Sequence, residues 1–253
     1  DGYDKVAASH AFGFRIFKGI TISLMAYLSL VYALNNRKYL PLFVVIYLFA
    51  GFYLFVLEKG RSGYLCFAVM TAVFIWHKWR WKDALIGGLL ITMVAIAGSQ
   101  LVDIRIFDRA QHLMNADVIS LEVLQKTDNR LEFYVLSWPI FANNWLLGVG
   151  IGAYGKAYEA QMALQPAFWG HTVNPHSEYV LLACQAGVMG LMLFLALLLC
   201  GLFMHKGEKE SIQFRQAVFI LIATACLFNS SILDHREGTL FLLLMALSLV
   251  PYK

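Results

Sequence analysis

What most restricts the folds open to this chain is a series of stretches that are apolar on every side and carry almost no charge. A helix crosses a hydrocarbon core with roughly 20 such residues, because every backbone N–H and C=O must be satisfied within the segment. Seven blocks read this way: Ile16–Leu34, Tyr39–Leu57, Ser62–Trp76, Ala84–Val102, Tyr179–Met204, Ala217–Leu233 and Thr239–Val250. A buried core of a water-soluble protein would instead need helices with polar outer faces. Composition agrees, with 60% of the 253 residues hydrophobic and 14% charged, against about 45–50% and about 25% in an ordinary soluble domain. Too little charge remains to build a water-facing surface. The expected fold is all-α, a polytopic bundle of transmembrane helices.

Cys66, Cys184, Cys200 and Cys226 all fall inside those blocks, where they read as small core side chains rather than as a disulfide framework or a CxxC metal site. The placement of Lys and Arg orients the bundle. One set of short loops holds Arg37 and Lys38, then Lys78, Arg80 and Lys82, then Lys206, Lys209 and Arg215, whereas the opposite set holds only Lys59, Arg61 and Arg236. The positive-inside rule makes the first set cytoplasmic and leaves Asp103–Ser177 outside. Three regions follow: residues 1–102 with four spans, 103–177 as a long outer-face loop, and 178–253 with three spans. Arg15 and Lys18 run against this topology. Either they snorkel from a tilted first span or they face a polar cavity. An outward N-terminus without a signal peptide predicts further spans upstream, and the short last block predicts a trimmed C-terminus.

A loop as long as Asp103–Ser177 is usually functional or disordered, and its aromatic content argues against disorder. Helical spacing at Asp117–Gln125 and Arg130–Ala142 predicts short helices on or near the outer interface, with Pro139 bending or ending the second. Gly150-Ile-Gly152-Ala-Tyr-Gly155 spells GxGxxG. Without a strand before it and a βαβ unit around it, the run reads as a glycine-rich turn that lets backbone pack closely.

The run His171-Thr-Val-Asn174-Pro175-His176-Ser177-Glu178-Tyr179 leads straight into the fifth span. Asn174 suits an N-cap and Pro175 the first helical position, which would put His176 in the first turn at the outer surface. There the helix dipole attracts anions and disfavours imidazolium, biasing His176 towards the neutral form that accepts a proton. A histidine that only caps or hydrogen-bonds at an interface would carry the same spacing. His171 is the weaker candidate, and the two histidines, five apart across a proline, lack the spacing of a helical metal pair. Arg61, Arg105, Arg109, Arg130 and Arg236 lie at an outer helix start or in outer loops. Arginine grips phosphate oxygens with paired hydrogen bonds and stays charged, although any single one reads first as a solvated or headgroup cation.

The run Arg130-Leu-Glu132, Trp138, then Asn144-Trp-Leu-Leu-Gly148-Val-Gly150-Ile-Gly152, followed by Asn174-Pro-His176-Ser177-Glu-Tyr, resembles the shared segment of the bacterial O-antigen ligase and O-antigen polymerase superfamily. The ligase branch carries a histidine, then Asn, Ser or Gln, then nine residues, then Gly-x-x-Gly. His176 and Ser177, followed by Glu178–Ala186 and Gly187-Val-Met-Gly190, fit that pattern without a gap. The resemblance implies a GT-C-like, inverting glycosyltransferase with its active site on the periplasmic side of the bacterial inner membrane. It implies an undecaprenyl diphosphate-linked O-antigen donor and a lipid A-core acceptor, completing lipopolysaccharide, with no cofactor, metal or nucleic acid. On this reading His176 is the general base, and Arg61, Arg130, Arg105 and Arg236 hold the diphosphate. Asn174, His171 and Arg109 touch substrate. A polymerase, or a protein O-oligosaccharyltransferase, of the same superfamily would share the donor. A lipid-linked-sugar flippase is the alternative from another class, but ionisable residues gathered at one membrane face suit an interfacial enzyme better.

Overall fold

The structure, a computed structural model, describes residues 2–58, 60–78, 129–164, 169–233 and 235–250. Among them it is helical, with no strand: α1 (Gly2–Asn35), α2 (Leu40–Phe52), α3 (Arg61–Lys78), α4 (Asn129–Asn143), α5 (Tyr154–Met162), α6 (Glu178–Phe203), α7 (Lys209–Cys226) and α8 (His235–Leu249). Three stretches are long and apolar enough to cross a membrane, Phe17–Asn35, Arg37–Glu58 and Glu178–Phe203, and Gly238–Leu249 is a shorter apolar helix. The second of them begins in a 3-10 turn at Arg37–Tyr39 and finishes in a π-helical turn at Tyr53–Glu58. The span expected at Ala84–Val102 and the helix expected at Asp117–Gln125 lie outside the described residues.

One expected element changes shape, and one of two outcomes left open for a proline is settled. The block Ala217–Leu233 is not one helix, because α7 starts at Lys209 and stops at Cys226. Asn229, Ser230 and Ser231 follow in an irregular segment. Their short polar side chains bond locally and favour turns over helix, which is why the helix yields there. Pro139 does not end α4, which runs through it to Asn143. Proline removes one backbone donor and clashes with the preceding turn, but Leu136 and Ile140 on either side are buried in the core and hold the helix together.

The chain packs into two units, Asp1–Asp103 with His205–Ala225 and Leu244–Lys253, and Ile104–Met204 with Cys226–Leu243. In the first, α1 and α3 approach through glycine: a methyl group added to Gly19 would lie 2.8 Å from Gly63 Cα. Small residues are how membrane helices bring their backbones together when lipid is as apolar as their side chains. Side-chain hydrogen bonds add to the packing, between Tyr47 Oη on α2 and Thr71 Oγ1 on α3 at 2.7 Å and between Tyr27 Oη on α1 and His77 Nδ1 on α3 at 3.0 Å.

In the second unit a core of Phe133, Leu136, Ile140, Tyr154, Tyr158, Leu181 and Cys184 joins α4, α5 and α6. Fully burying such a side chain contributes about 1.5–3 kcal/mol. Contacts along α4 and α6 climb together: Phe133 lies beside His176, the Cys184 thiol donates to the Ser137 carbonyl at 3.5 Å, and the Val188 N–H donates to the Trp145 carbonyl at 2.7 Å. The chain then turns back. The Val149 N–H donates to the Cys184 carbonyl at 2.9 Å, Tyr154 Oη meets Ser137 Oγ at 2.8 Å, and the Tyr158 ring packs edge-on against Phe133. α4 and α5 form a hairpin that follows α6 for about half its length.

Candidate active site

The site takes shape where α6 begins and where it breaks. Its first helical residue is Glu178, with Ser177 as the N-cap in extended backbone, so His176 stands before the helix and not in its first turn. Asn174 is the reason. Its Oδ1 accepts the His176 backbone N–H at 2.7 Å, closing a side-chain turn, instead of capping the helix. The turn throws His176 into the left-handed region at φ 56°, the one non-glycine residue there among the described residues. Such backbone costs roughly 1–3 kcal/mol and persists where the surroundings over-determine it.

The surroundings come from the irregular segment between α7 and α8. Ser230 Oγ donates to Asn174 Oδ1 at 2.7 Å, and the Ile232 N–H donates to the fully buried Glu178 carboxylate at 2.9 Å. Asn229 bonds the His176 imidazole, and Phe228 lies under the Arg130 guanidinium at 5.9 Å. Three consecutive positions, Phe228 to Ser230, and Ile232 thus strap the histidine, its turn and its arginine neighbour. Sequence reasoning missed all of them. The available signal was the Asn-Ser-Ser run inside an otherwise apolar block, since polar groups at membrane depth are costly and are usually kept for a use.

His176 is held neutral. Burial pushes its pKa below the usual 6.5, the positive charge of Arg130 pushes the same way, and the bond with Asn229 opposes both. Neutrality therefore comes from desolvation and a neighbouring cation, not from the dipole of a helix that starts two residues later. The ring faces Phe133 at 5.8 Å between centroids. A neutral imidazole with one N–H donated to an amide oxygen keeps its other nitrogen as an acceptor.

The second feature is Gly187, at φ 63° and ψ −165° inside α6. The break exposes backbone groups, and the glycine-rich turn after α4 takes them up. Val149 and Gly150 N–H groups donate to the Cys184 and Gln185 carbonyls at 2.9 and 3.0 Å, while Val188 and Met189 donate to Trp145 and Leu146 carbonyls at 2.7 and 3.4 Å. A methyl group on Gly187 would collide with the Leu146 backbone, and one on Gly148, at φ 71°, with the Gln185 backbone. Gly190 is needed because a methyl group there would strike the Ala186 side chain. The GxxG spacing and the glycine run are two halves of one ladder.

The remaining candidates are placed as follows. His171 is exposed, its Nε2 bonded to the Gly155 carbonyl at 3.1 Å, and its ring meets Tyr158 edge-on. Glu132 is buried and accepts the Trp169 N–H at 3.0 Å, tying that loop to α4. Arg61 opens α3 and Arg236 lies in the first turn of α8, and their side chains, with all of Arg105 and Arg109, fall outside the described residues. Among the described residues no three His, Cys, Asp or Glu side chains gather where a cation could be held.

Apolar helices long enough to cross a bilayer, one of them starting beside a half-buried histidine and an arginine and broken further along, define a helical membrane protein with a polar site at the end of a span. The family model described as O-antigen ligase, Wzy_C, matches residues 46–195, more than half of the chain, and the chain belongs to that family. No curated protein and no solved structure matches it.

Proposed function

We propose that the chain is a membrane glycosyltransferase that moves O-antigen glycan from an undecaprenyl diphosphate donor to lipid A-core oligosaccharide at the periplasmic face of the inner membrane. The observation that carries this reading is His176, half-buried, biased to its neutral form and set beside Arg130 at the mouth of a broken span. In the reaction the acceptor hydroxyl oxygen attacks the anomeric carbon of the donor sugar from the face opposite the diphosphate. The new C–O bond forms as the bond to the diphosphate oxygen breaks, which inverts the anomeric centre. His176 takes the hydroxyl proton, and the leaving diphosphate keeps the bonding electrons.

Arg130 and Arg61 are the first choices to hold the diphosphate, with Arg105 and Arg236 as weaker ones. Their charge does what a metal would otherwise do at a leaving phosphate, so no divalent cation is required. Asn174, His171 and Arg109 are the proposed substrate contacts. Proteoliposomes loaded with polyprenyl-linked glycan and added lipid A-core test the reading. Attachment of glycan to lipid A-core, undiminished by a chelator, is expected. Extension of the lipid-linked glycan alone would mean a polymerase, and movement across the bilayer without attachment would mean a transporter.

A further inference from the structure

We infer that the α4–α5 hairpin dips into the bilayer beside α6, and that its tip, the turn Asn144–Gly152, is a wedge lodged among the hydrocarbon chains of the leaflet nearest His176. The first reason is register. The hairpin descends α6 from the level of His176, where Phe133 packs, to the level of Val188, where the Trp145 carbonyl is bonded. Gly187 is nine residues beyond Glu178, which at about 1.5 Å per residue is about 13 Å, close to half of a hydrocarbon core of about 30 Å. The tip therefore lies well below the surface if α6 crosses a membrane, as its length and hydropathy allow.

The second reason is the backbone. Irregular chain at that depth survives only when its polar groups are satisfied by protein. Four hydrogen bonds to the break in α6 do this for the turn, through Val149, Gly150, Trp145 and Leu146. The third reason is what the turn shows on its outside. Trp145, Leu147 and Ile151 are 57%, 71% and 73% exposed, and no Asp, Glu, Lys, Arg or His occurs between Glu132 and Lys156. In water this would be an apolar patch that no described residue covers, whereas against acyl chains it is an ordinary surface. The inference rests on α6 crossing a membrane and uses nothing from the transferase reading, so each can fail without the other.

Spin labels decide it. Cys200 is the one exposed cysteine among the four, so a Cys200→Ala chain can carry Leu147→Cys or Ile151→Cys, with Leu193→Cys on α6 as the lipid reference and Glu159→Cys on α5 as the water reference. Each is reconstituted in phospholipid vesicles and its collision rates with oxygen and with a water-soluble nickel chelate are measured. High oxygen and lost nickel collisions at both tip positions, matching Leu193, are expected. Nickel collisions matching Glu159 would place the tip in water, and loss of both would place it inside protein; either result overturns the inference. If a variant fails to reconstitute, the unaltered chain can be labelled by a diazirine carried on a lipid acyl chain. Adducts within Trp145–Ile151 support insertion, and their absence while α6 is labelled refutes it.

Discussion

The two units each bring backbones together through a pair of glycines, but to different ends. Gly19 and Gly63 let two helices touch, and both run through the contact without a break. Gly148 and Gly187 instead let a turn replace the hydrogen bonds that a broken helix has lost. The first arrangement is what a bilayer favours by default. The second exists only because another segment supplies the missing partners, and it stands one helical stretch away from a histidine held in left-handed backbone. Among the described residues, irregular chain in the second unit is thus gathered around the site.

The largest effect expected from this contrast is at the break. Gly187→Ala places a side chain at positive φ, which costs roughly 1–2 kcal/mol by itself, and drives a methyl group into the Leu146 backbone. Gly63→Ala faces only the Gly19 Cα at 3.3 Å and a movable Leu54 methyl group at 3.4 Å, and it gains helix propensity of up to about 1 kcal/mol. Thermal unfolding in detergent should therefore fall sharply for Gly187→Ala and change little for Gly63→Ala. Equal losses would mean that the ladder adds nothing beyond ordinary packing.

Arg130→Ala comes next. A charged hydrogen bond is worth about 1.5–3 kcal/mol, or one to two decades in transfer rate if it is felt in the transition state. Lysine should not restore the rate, because it cannot grip two oxygens at once. The same substitution removes a positive charge that depresses the His176 pKa, so the acid limb of kcat/KM should move to higher pH. A smaller change is expected of Asn229→Ala, whose bond raises that pKa. Its acid limb should move to lower pH, with partial recovery by Asn229→Gln. A limb that stays in place in both variants would mean that His176 does not set it. The smallest effect should be that of His171→Ala, which loses one bond to a loop carbonyl at an exposed position. Transfer should stay within a few-fold of the parent.

Much of this was legible beforehand. The apolar blocks among the described residues are helical apart from the end of Ala217–Leu233, and the residues His176, Gly187 and Gly190 that carry the family spacing fall at the turn, the break and the contact behind it. The start of α6 was not legible, because Asn174 is as good a closer of a side-chain turn as it is an N-cap and its type does not choose. Pro139, which could bend the helix or end it, left the outcome open for a related reason. A local rule for proline was outweighed by burial of Leu136 and Ile140, which depends on partners remote in sequence. The strap at Phe228–Ile232 stayed hidden because its residues lie more than fifty positions from the histidine they hold, and only the fold brings them together.

The central claim is that His176 is the base for glycan transfer, and one pair of proteins tests it. Wild type and His176→Ala, both checked for insertion and for donor binding, are compared in proteoliposomes with polyprenyl-linked glycan and lipid A-core across a range of pH. Removing a positioned base costs a factor of about 10²–10⁴. The variant should bind donor yet transfer glycan slower by that factor, and it should lose the acid limb that the wild type shows below the ordinary histidine value of 6.5. Near-normal turnover by a folded His176→Ala protein, with the same limb, would contradict the claim and leave the histidine as a structural residue of the turn.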